Sequence, residues 1–310
     1  MNNPNASSLF HFTSSFEILK AIIRDGIRFS YSYEEHDFTD VPEDECPEFK
    51  GVAFPMICFC NTPLSRAENH ARVYGKYHLA FDKEFLLSIY NSILNPVIYY
   101  SSNNLARSIF CLEETRSNLQ SLFLQSLAKY SQDATLAKTI VDFTSSDLNF
   151  DDKFKRLPYQ IRHDIQVINN FAFASNFILG LAKPIYGKNK LGEMTFLDEE
   201  REWRAFMIDR FDENIRWRFY QSKDEFDAKK DELNRIILKY DNSYLTIPTI
   251  EWSNMITSIC VEYESQIPEL VNYILSTDKL FGYKITNETN YIRSFIISRI
   301  TSFERISQDI

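Results

Sequence analysis

Apolar and polar positions alternate along this chain in two rhythms, and the first forty residues show both. From Leu9 to Thr13 the period is two: Leu9, His11 and Thr13 fall on one face and Phe10 and Phe12 on the other, which predicts a strand. Phe16, Leu19, Ile22 and Ile23 then follow helical spacing. Ser14 with Glu17 reads as a capping box ahead of that helix, and Gly26 stands where its C-cap is expected. The predicted unit is strand, tight turn, helix. Residues 33–50 are acidic, contain Pro42 and Pro47 and show no period, so they predict an exposed loop.

VAFPMICFC, ending at Cys60, is a continuous apolar run of strand length, as expected of a strand buried on both faces. Asn61-Thr62-Pro63 ends it and opens a helix through PLSRAENHARVYG. YHLAFD predicts a strand, KEFLLSIYNSIL a helix and PVIYY a short strand. Helical spacing returns over 103–131 and 160–182, so residues 103–185 read as a helical insertion with the polar stretch DFTSSDLNFDDKFK as its internal loop. Further on, FLDEEREWRAFMID predicts a strand with a partner near Ile215 to Tyr220. Ser222 and Glu225 cap a helix whose buried face is Phe226, Leu233, Ile237 and Tyr240. YLTIPTI and NMITSICVEY read as strands and QIPELVNYIL as a helix. The expectation is one elaborated α+β domain spanning residues 1–310.

Composition narrows the chemistry. With 26 Phe and 17 Tyr in 310 residues, ring packing can dominate a large core. The net charge of −9, without a dense Lys/Arg stripe, disfavours nucleic acid as a ligand, except as a target for modification. No apolar run reaches a membrane span and MNNPNASS lacks the features of a signal peptide, so a cytoplasmic location is expected. The five cysteines form no C-x-x-C pair, which favours reduced thiols over a disulfide framework. Seven glycines form neither G-x-G-x-x-G nor a P-loop, and G-x-S-x-G and H-E-x-x-H are absent.

Two phrases could carry a site. In EEREWRAFMI, a strand would put Glu200, Glu202 and Arg204 on one face, either as a solvent-exposed strand end laced by ion pairs or as an electrostatic wall. His11 and Thr13 are either a satisfied polar pair or a donor pair able to hold a ribose, with a facing carboxylate stabilising positive charge at the sugar C1. Cys58 and Cys60 could make a metal pair with His70 or His78, but no second ligand pair has zinc spacing, and no metal is expected.

LFHFT, MICFCNTPL, HARVYGKYHLAF, PVIYY, EREWRAF and RITSFERISQD occur in this order over nearly the whole chain, and together they resemble the AbiGi family of prokaryotic abortive-infection proteins. That resemblance implies a role in phage defence, in a family described as antitoxins partnered with a nucleotidyltransferase-like toxin. More remotely, His11-Phe12-Thr13 and Glu200-Arg201-Glu202 are similar to the H-x-T and E-x-E elements of ADP-ribosyltransferases, DarT among them. This second resemblance implies a split, largely antiparallel β core and NAD as substrate. His11 and Thr13 would hold the NAD ribose, Glu202 would stabilise the oxocarbenium-like state and Glu200 would orient the acceptor. Phe59, Tyr74 and Tyr77 all stand as candidates for stacking on nicotinamide. Two functions follow as expectations: an NAD-dependent ADP-ribosyltransferase or NAD glycohydrolase, and a non-catalytic antitoxin or regulator that binds a cognate toxin or another defence protein.

Overall fold

A computed structural model describes residues 7–36, 50–62, 67–90, 93–101, 111, 118, 159–207, 215, 218–246 and 255–308. The expected loop of the insertion lies outside the described residues, as do nearly all of 103–131, the later part of the 33–50 loop and the end of YLTIPTI.

In the first third the elements are β1 (Ser8–Thr13), α1 (Phe16–Asp25), β2 (Ile27–Arg28), β3 (Ser30–Glu35), β4 (Gly51–Cys60), α2 (Ala67–Tyr74), β5 (Tyr77–Asp82), α3 (Lys83–Tyr90), β6 (Leu94–Pro96) and β7 (Ile98–Tyr100). A long helix, α4 (Tyr159–Leu181), leads into β8 (Ala182–Pro184) and the hairpin strands β9 (Tyr186–Lys188) and β10 (Met194–Phe196). After a 3-10 turn (Leu197–Glu200) come β11 (Glu202–Phe206), β12 (Arg218–Tyr220), α5 (Lys223–Ile237), β13 (Tyr244–Leu245) and β14 (Ile256–Val261). The described chain ends through α6 (Ile267–Ser276), β15 (Lys279–Leu280), β16 (Tyr283–Lys284), α7 (Tyr291–Ile297), β17 (Ile300–Ser302) and α8 (Phe303–Gln308).

The main sheet runs β17-β14-β5-β1-β4-β11-β6, with β3 and β12 also paired to β4; every pairing is antiparallel except β14 with β17. The fold is therefore mixed α+β around a largely antiparallel sheet. β4 is its axis. Its C-terminal half lies between β1 and β11, and its N-terminal half between β3 and β12. This explains the unbroken apolar run: nine of the ten β4 residues are buried, because the strand is covered on both faces.

Antiparallel partners share a face, so register sorts the side chains. One face carries Leu9, Leu79, Phe81, Ile57, Phe59, Ala205 and Ile259, packed against Leu19, Ile22 and Ile23 of α1 with α3, α5, α6 and α7. The other carries Phe10, Ala80, His78, Cys260, Val52, Phe54, Met56 and Phe206, covered by Ala71 of α2, Phe303 of α8 and Leu179 near the end of α4.

Local chemistry sets the element ends. Ser15, one residue beyond the expected Ser14, caps α1 by accepting from the Ile18 N–H. Gly26 ends that helix at φ 95°, with its own N–H donating to the Ile22 carbonyl. Ser222 caps α5 as expected, while Glu225 accepts from the Gln221 N–H. Three sequence expectations are corrected. Residues 33–35 belong to β3 rather than to a loop, because their backbone pairs with Gly51 to Ala53. β12 pairs with β4, not with the E-x-E-W-R strand. That strand also begins later than its period suggests: Leu197 to Glu200 form a 3-10 turn, and Arg201, in the left-handed region at φ 44°, redirects the chain before β11 starts.

Candidate functional site

Glu202 and Arg204, opposite Cys60 and Cys58 of β4, project from the Phe10 face of the sheet. Both are buried, Arg204 completely. A charge in that setting survives only with partners, since desolvation costs several kcal/mol per ion. Arg204 donates from Nε to Glu202 Oε1 at 2.8 Å and from NH2 to Oε2 at 3.2 Å. Its NH2 also lies 2.9 Å from Glu34 Oε1, and NH1 donates to the Gly180 carbonyl at 2.5 Å. Lys183, buried in β8 directly after α4, sits between Glu200 Oε2 at 2.6 Å and Glu202 Oε2 at 2.8 Å.

Glu200 and Glu202 converge, but not by strand alternation. The left-handed turn at Arg201 brings a residue of the 3-10 turn and the first residue of β11 onto one ammonium. The backbone around them is equally committed. Glu202 donates its N–H to the Tyr99 hydroxyl at 2.9 Å, and its carbonyl accepts from Val97. Thr62 donates to the Glu199 carbonyl at 2.8 Å, and Asn61 donates its N–H to the Arg201 carbonyl. Tyr74, the last residue of α2, donates its hydroxyl to Glu200 Oε1 at 2.8 Å. Its ring stacks on His70 with centroids 4.4 Å apart and takes the Lys190 ammonium 4.4 Å from its centroid.

Opposing forces set the protonation states. Burial alone would raise the Glu202 carboxyl, yet Arg204 and Lys183 outweigh it and hold the group well below the usual carboxylate range. Burial works against Lys183 and Arg204 too, but Glu202 with Glu200 in the first case, and with Glu34 in the second, keeps both firmly charged. Tyr74 is pushed well above the usual phenol range by burial and the nearby carboxylates. His70 falls to about 4, mainly through burial, with Glu202 opposing and Lys183 adding to the fall.

His11 and Thr13 lie in the other set of side chains. They share the cross-strand rows of Leu79 and Tyr77, while Phe10 shares the row of Cys60 and Glu202. Beside β5, β1 is in register over all six residues, but it meets β4 in register at Phe10 opposite Cys60. The His11 ring reaches β4, its Nδ1 2.9 Å from the Cys58 carbonyl. A carbonyl accepts, so Nδ1 carries the proton; burial lowers this imidazole to about 4, which leaves Nε2 as a bare acceptor. Phe59 is buried with its ring 5.8 Å from His11, and Thr13 is buried with its carbonyl against Gly75.

The structure thus gathers Glu200, Glu202 and Tyr74 in one cluster and His11 with Phe59 in another, in alternate sets of strand side chains, with Lys190 on the Tyr74 ring near enough to contribute to the fall of His11. Glu202 shares the row of Cys60 and Phe10, so by strand alternation His11 falls in the neighbouring set of side chains and not in Glu202's row. Sequence reasoning missed Lys183, Glu34, Tyr99 and His70 as members of the cluster. The one signal for Lys183 was a lone cation inside the apolar run FILGLAKPIY. Among the described residues, no group of three or more His, Cys, Asp or Glu side chains is placed to hold a metal ion, and no helix is long and apolar enough to cross a membrane.

An α+β sheet protein with helices on both faces and a five-membered ion cluster buried against one of them is the class that these observations define. The family model "Putative abortive phage resistance protein AbiGi, antitoxin" matches residues 29–253, which include β3, β4, β11 and the whole cluster, and the chain belongs to this AbiGi family. It is similar to the abortive phage resistance protein AbiGi of Lactococcus lactis subsp. cremoris, with 22% identity over 291 residues that cover 90% of this chain and 97% of the relative. No solved structure matches the chain.

Proposed function

We propose that this protein serves anti-phage defence as the antitoxin of a toxin–antitoxin pair, neutralising its partner by binding it rather than by turning over NAD. One observation carries this reading: both oxygens of Glu202 are held by buried cations. A carboxylate in that state is a structural ion. Using it to stabilise a developing oxocarbenium would require it to be drawn away from Arg204 and Lys183, at the cost of breaking a buried pair. The family description as an antitoxin supports the reading, and the net charge of −9 suits a basic partner. The test is co-expression with a candidate toxin from a neighbouring gene: growth is restored, the two chains co-elute, and purified chain releases no nicotinamide from NAD. Restored growth without a complex, together with nicotinamide release that Glu202→Gln abolishes, would overturn it.

A second reading rests on the single in-register pair between β1 and β4, past which His11 reaches the Cys58 carbonyl beside the Phe59 ring. In this reading the chain is a single ADP-ribosyltransferase-like domain with residues 103–185 inserted, acting as an ADP-ribosyltransferase or NAD glycohydrolase. Nε2 of His11 and Thr13 would meet ribose hydroxyls, Phe59 or Tyr74 would stack on nicotinamide, and Glu202 with Glu200 would serve the reacting sugar and its acceptor. NAD added to the purified chain should then perturb the His11 ring resonances, identified by their loss in His11→Ala; unchanged spectra at millimolar NAD would sink it.

A further inference from the structure

The hairpin of β9 and β10 presents an apolar face that no other element among the described residues covers. Phe196 pairs with Tyr186 and Met194 with Lys188, so these four side chains project from the same side. All four are exposed; Tyr186 is 53%, Met194 52% and Phe196 57% accessible, and the two rings touch with centroids 5.3 Å apart. Leu191 in the connecting turn adds a fourth large apolar group at 52%. The opposite side of the hairpin is the packed one: a Cβ at Gly187 would lie 3.0 Å from Leu197 Cδ1. Single exposed apolar residues are ordinary, but three in one row with two rings in contact form a patch of the kind interfaces use.

The hairpin is also held rigidly. Arg72 of α2 makes a two-pronged pair with Glu193 at 2.7 and 2.9 Å, Asn189 closes the turn through the Leu191 and Glu193 N–H groups, and the Leu197 N–H donates to the Ile185 carbonyl. Immediately after Phe196, Asp198 and Glu199 are exposed on the 3-10 turn and make no ion pair among the described residues. Lys190 is engaged over Tyr74, which leaves Lys188 as the cation on the patch itself. The patch thus carries Lys188 and is followed by the exposed carboxylates Asp198 and Glu199, on a chain whose net charge of −9 repels a second copy and suits a cationic partner.

We propose that the outer face of this hairpin, Tyr186, Met194 and Phe196 bordered by Asp198 and Glu199, is the docking surface for the toxin, which meets it with an apolar patch rimmed by Lys or Arg. The inference rests on the antitoxin reading and adds where the partner sits. Pre-ordered aromatic anchors carry most of the affinity at such surfaces, and rim charges set mainly the association rate.

The test titrates the full chain against the purified cognate toxin. Tyr186→Ser with Phe196→Ser weakens binding by at least about 30-fold, while Tyr291→Ser with Leu275→Ser, exposed apolar positions elsewhere, changes it by less than about 2-fold. Asp198→Lys with Glu199→Lys slows association and reduces its salt dependence. Because all these side chains are exposed, thermal midpoints stay within a degree or two of wild type, so lost binding is not lost folding. Undiminished binding by the hairpin variant overturns this surface and leaves the antitoxin reading standing; failure of the wild-type chain to bind removes both. A homodimer of the chain that the hairpin substitutions disperse would assign the patch to self-association instead.

Discussion

The two faces of the central sheet are built on different physics. On the Leu9 face, α1, α5, α6 and α7 lay aliphatic and aromatic residues over Leu79, Phe81, Phe59 and Ile259. Attraction there is non-directional, so volume and shape decide stability. On the Phe10 face the same strands carry Glu202 and Arg204, and the fold is completed by five charged groups that fit in one arrangement: Glu34 from β3, Lys183 from β8, Glu200 from the 3-10 turn and the pair on β11. The comparison teaches where specificity resides. The apolar face tolerates approximate partners, whereas the charged face ties four chain segments, more than 160 residues apart in sequence at the extremes, to one register.

Breaking the charged face should give the largest effect. Arg204→Met leaves the buried Glu202 and the half-buried Glu34 with a reduced set of cations, and urea unfolding should show a loss of about 3–5 kcal/mol. On the apolar face, Leu79→Ala should cost about 2–5 kcal/mol, but Leu79→Met, which conserves volume, less than about 1.5. If a conservative swap on the charged face, Lys183→Met, costs as little as Leu79→Met, the distinction between the faces is wrong.

Acid sharpens the comparison next. His78, wholly buried between Phe10 and Phe12 with neither ring nitrogen hydrogen-bonded, is held down to about 3 by burial and by His70. His11, His36 and His70 are lowered to about 4, each mainly by burial. An unfolded histidine titrates near about 6.5. As pH falls below that value the unfolded chain takes up protons that the folded chain refuses, and stability falls by up to about 1.4 kcal/mol per pH unit for each such histidine. The contribution of Glu202 has its window lower: it is present above the ordinary carboxylate value and lost as pH falls through the depressed folded one. His78→Phe should flatten the slope between about pH 6 and 4 by close to one proton, measured by chemical denaturation across that range; an unchanged slope would mean that the ring protonates in the folded state. The smallest effect belongs to the edge of the Leu9 face, where Ser222→Ala removes the α5 cap and should cost about 1 kcal/mol.

The periodic elements were legible in the sequence because periodicity is what burial on one face writes into it. β1, α1, the doubly buried β4, β5, α5 and α6 all fall where alternation or helical spacing puts them. What the pattern hid has physical causes. Arg201 adopts a left-handed conformation rare for a residue with a side chain, so the strand reading ran through a turn, and Glu200 reached its place for a reason unrelated to alternation. Lys183 and Glu34 come from distant segments, and only tertiary pairing reveals that they share two carboxylates and a guanidinium. His11 and Glu202 each looked like half of one site, since residue spacing gives the face within a strand but not the registers that relate three strands.

The central claim is that this chain acts by holding a partner. It is tested most directly by the equilibrium affinity of the purified chain for its cognate toxin in NAD-free buffer at physiological salt. The account predicts a one-to-one complex with a dissociation constant of about 1 μM or tighter. Absence of a complex at tens of micromolar (roughly a further 2 kcal/mol weaker), or a complex that forms only when NAD is supplied, would contradict it.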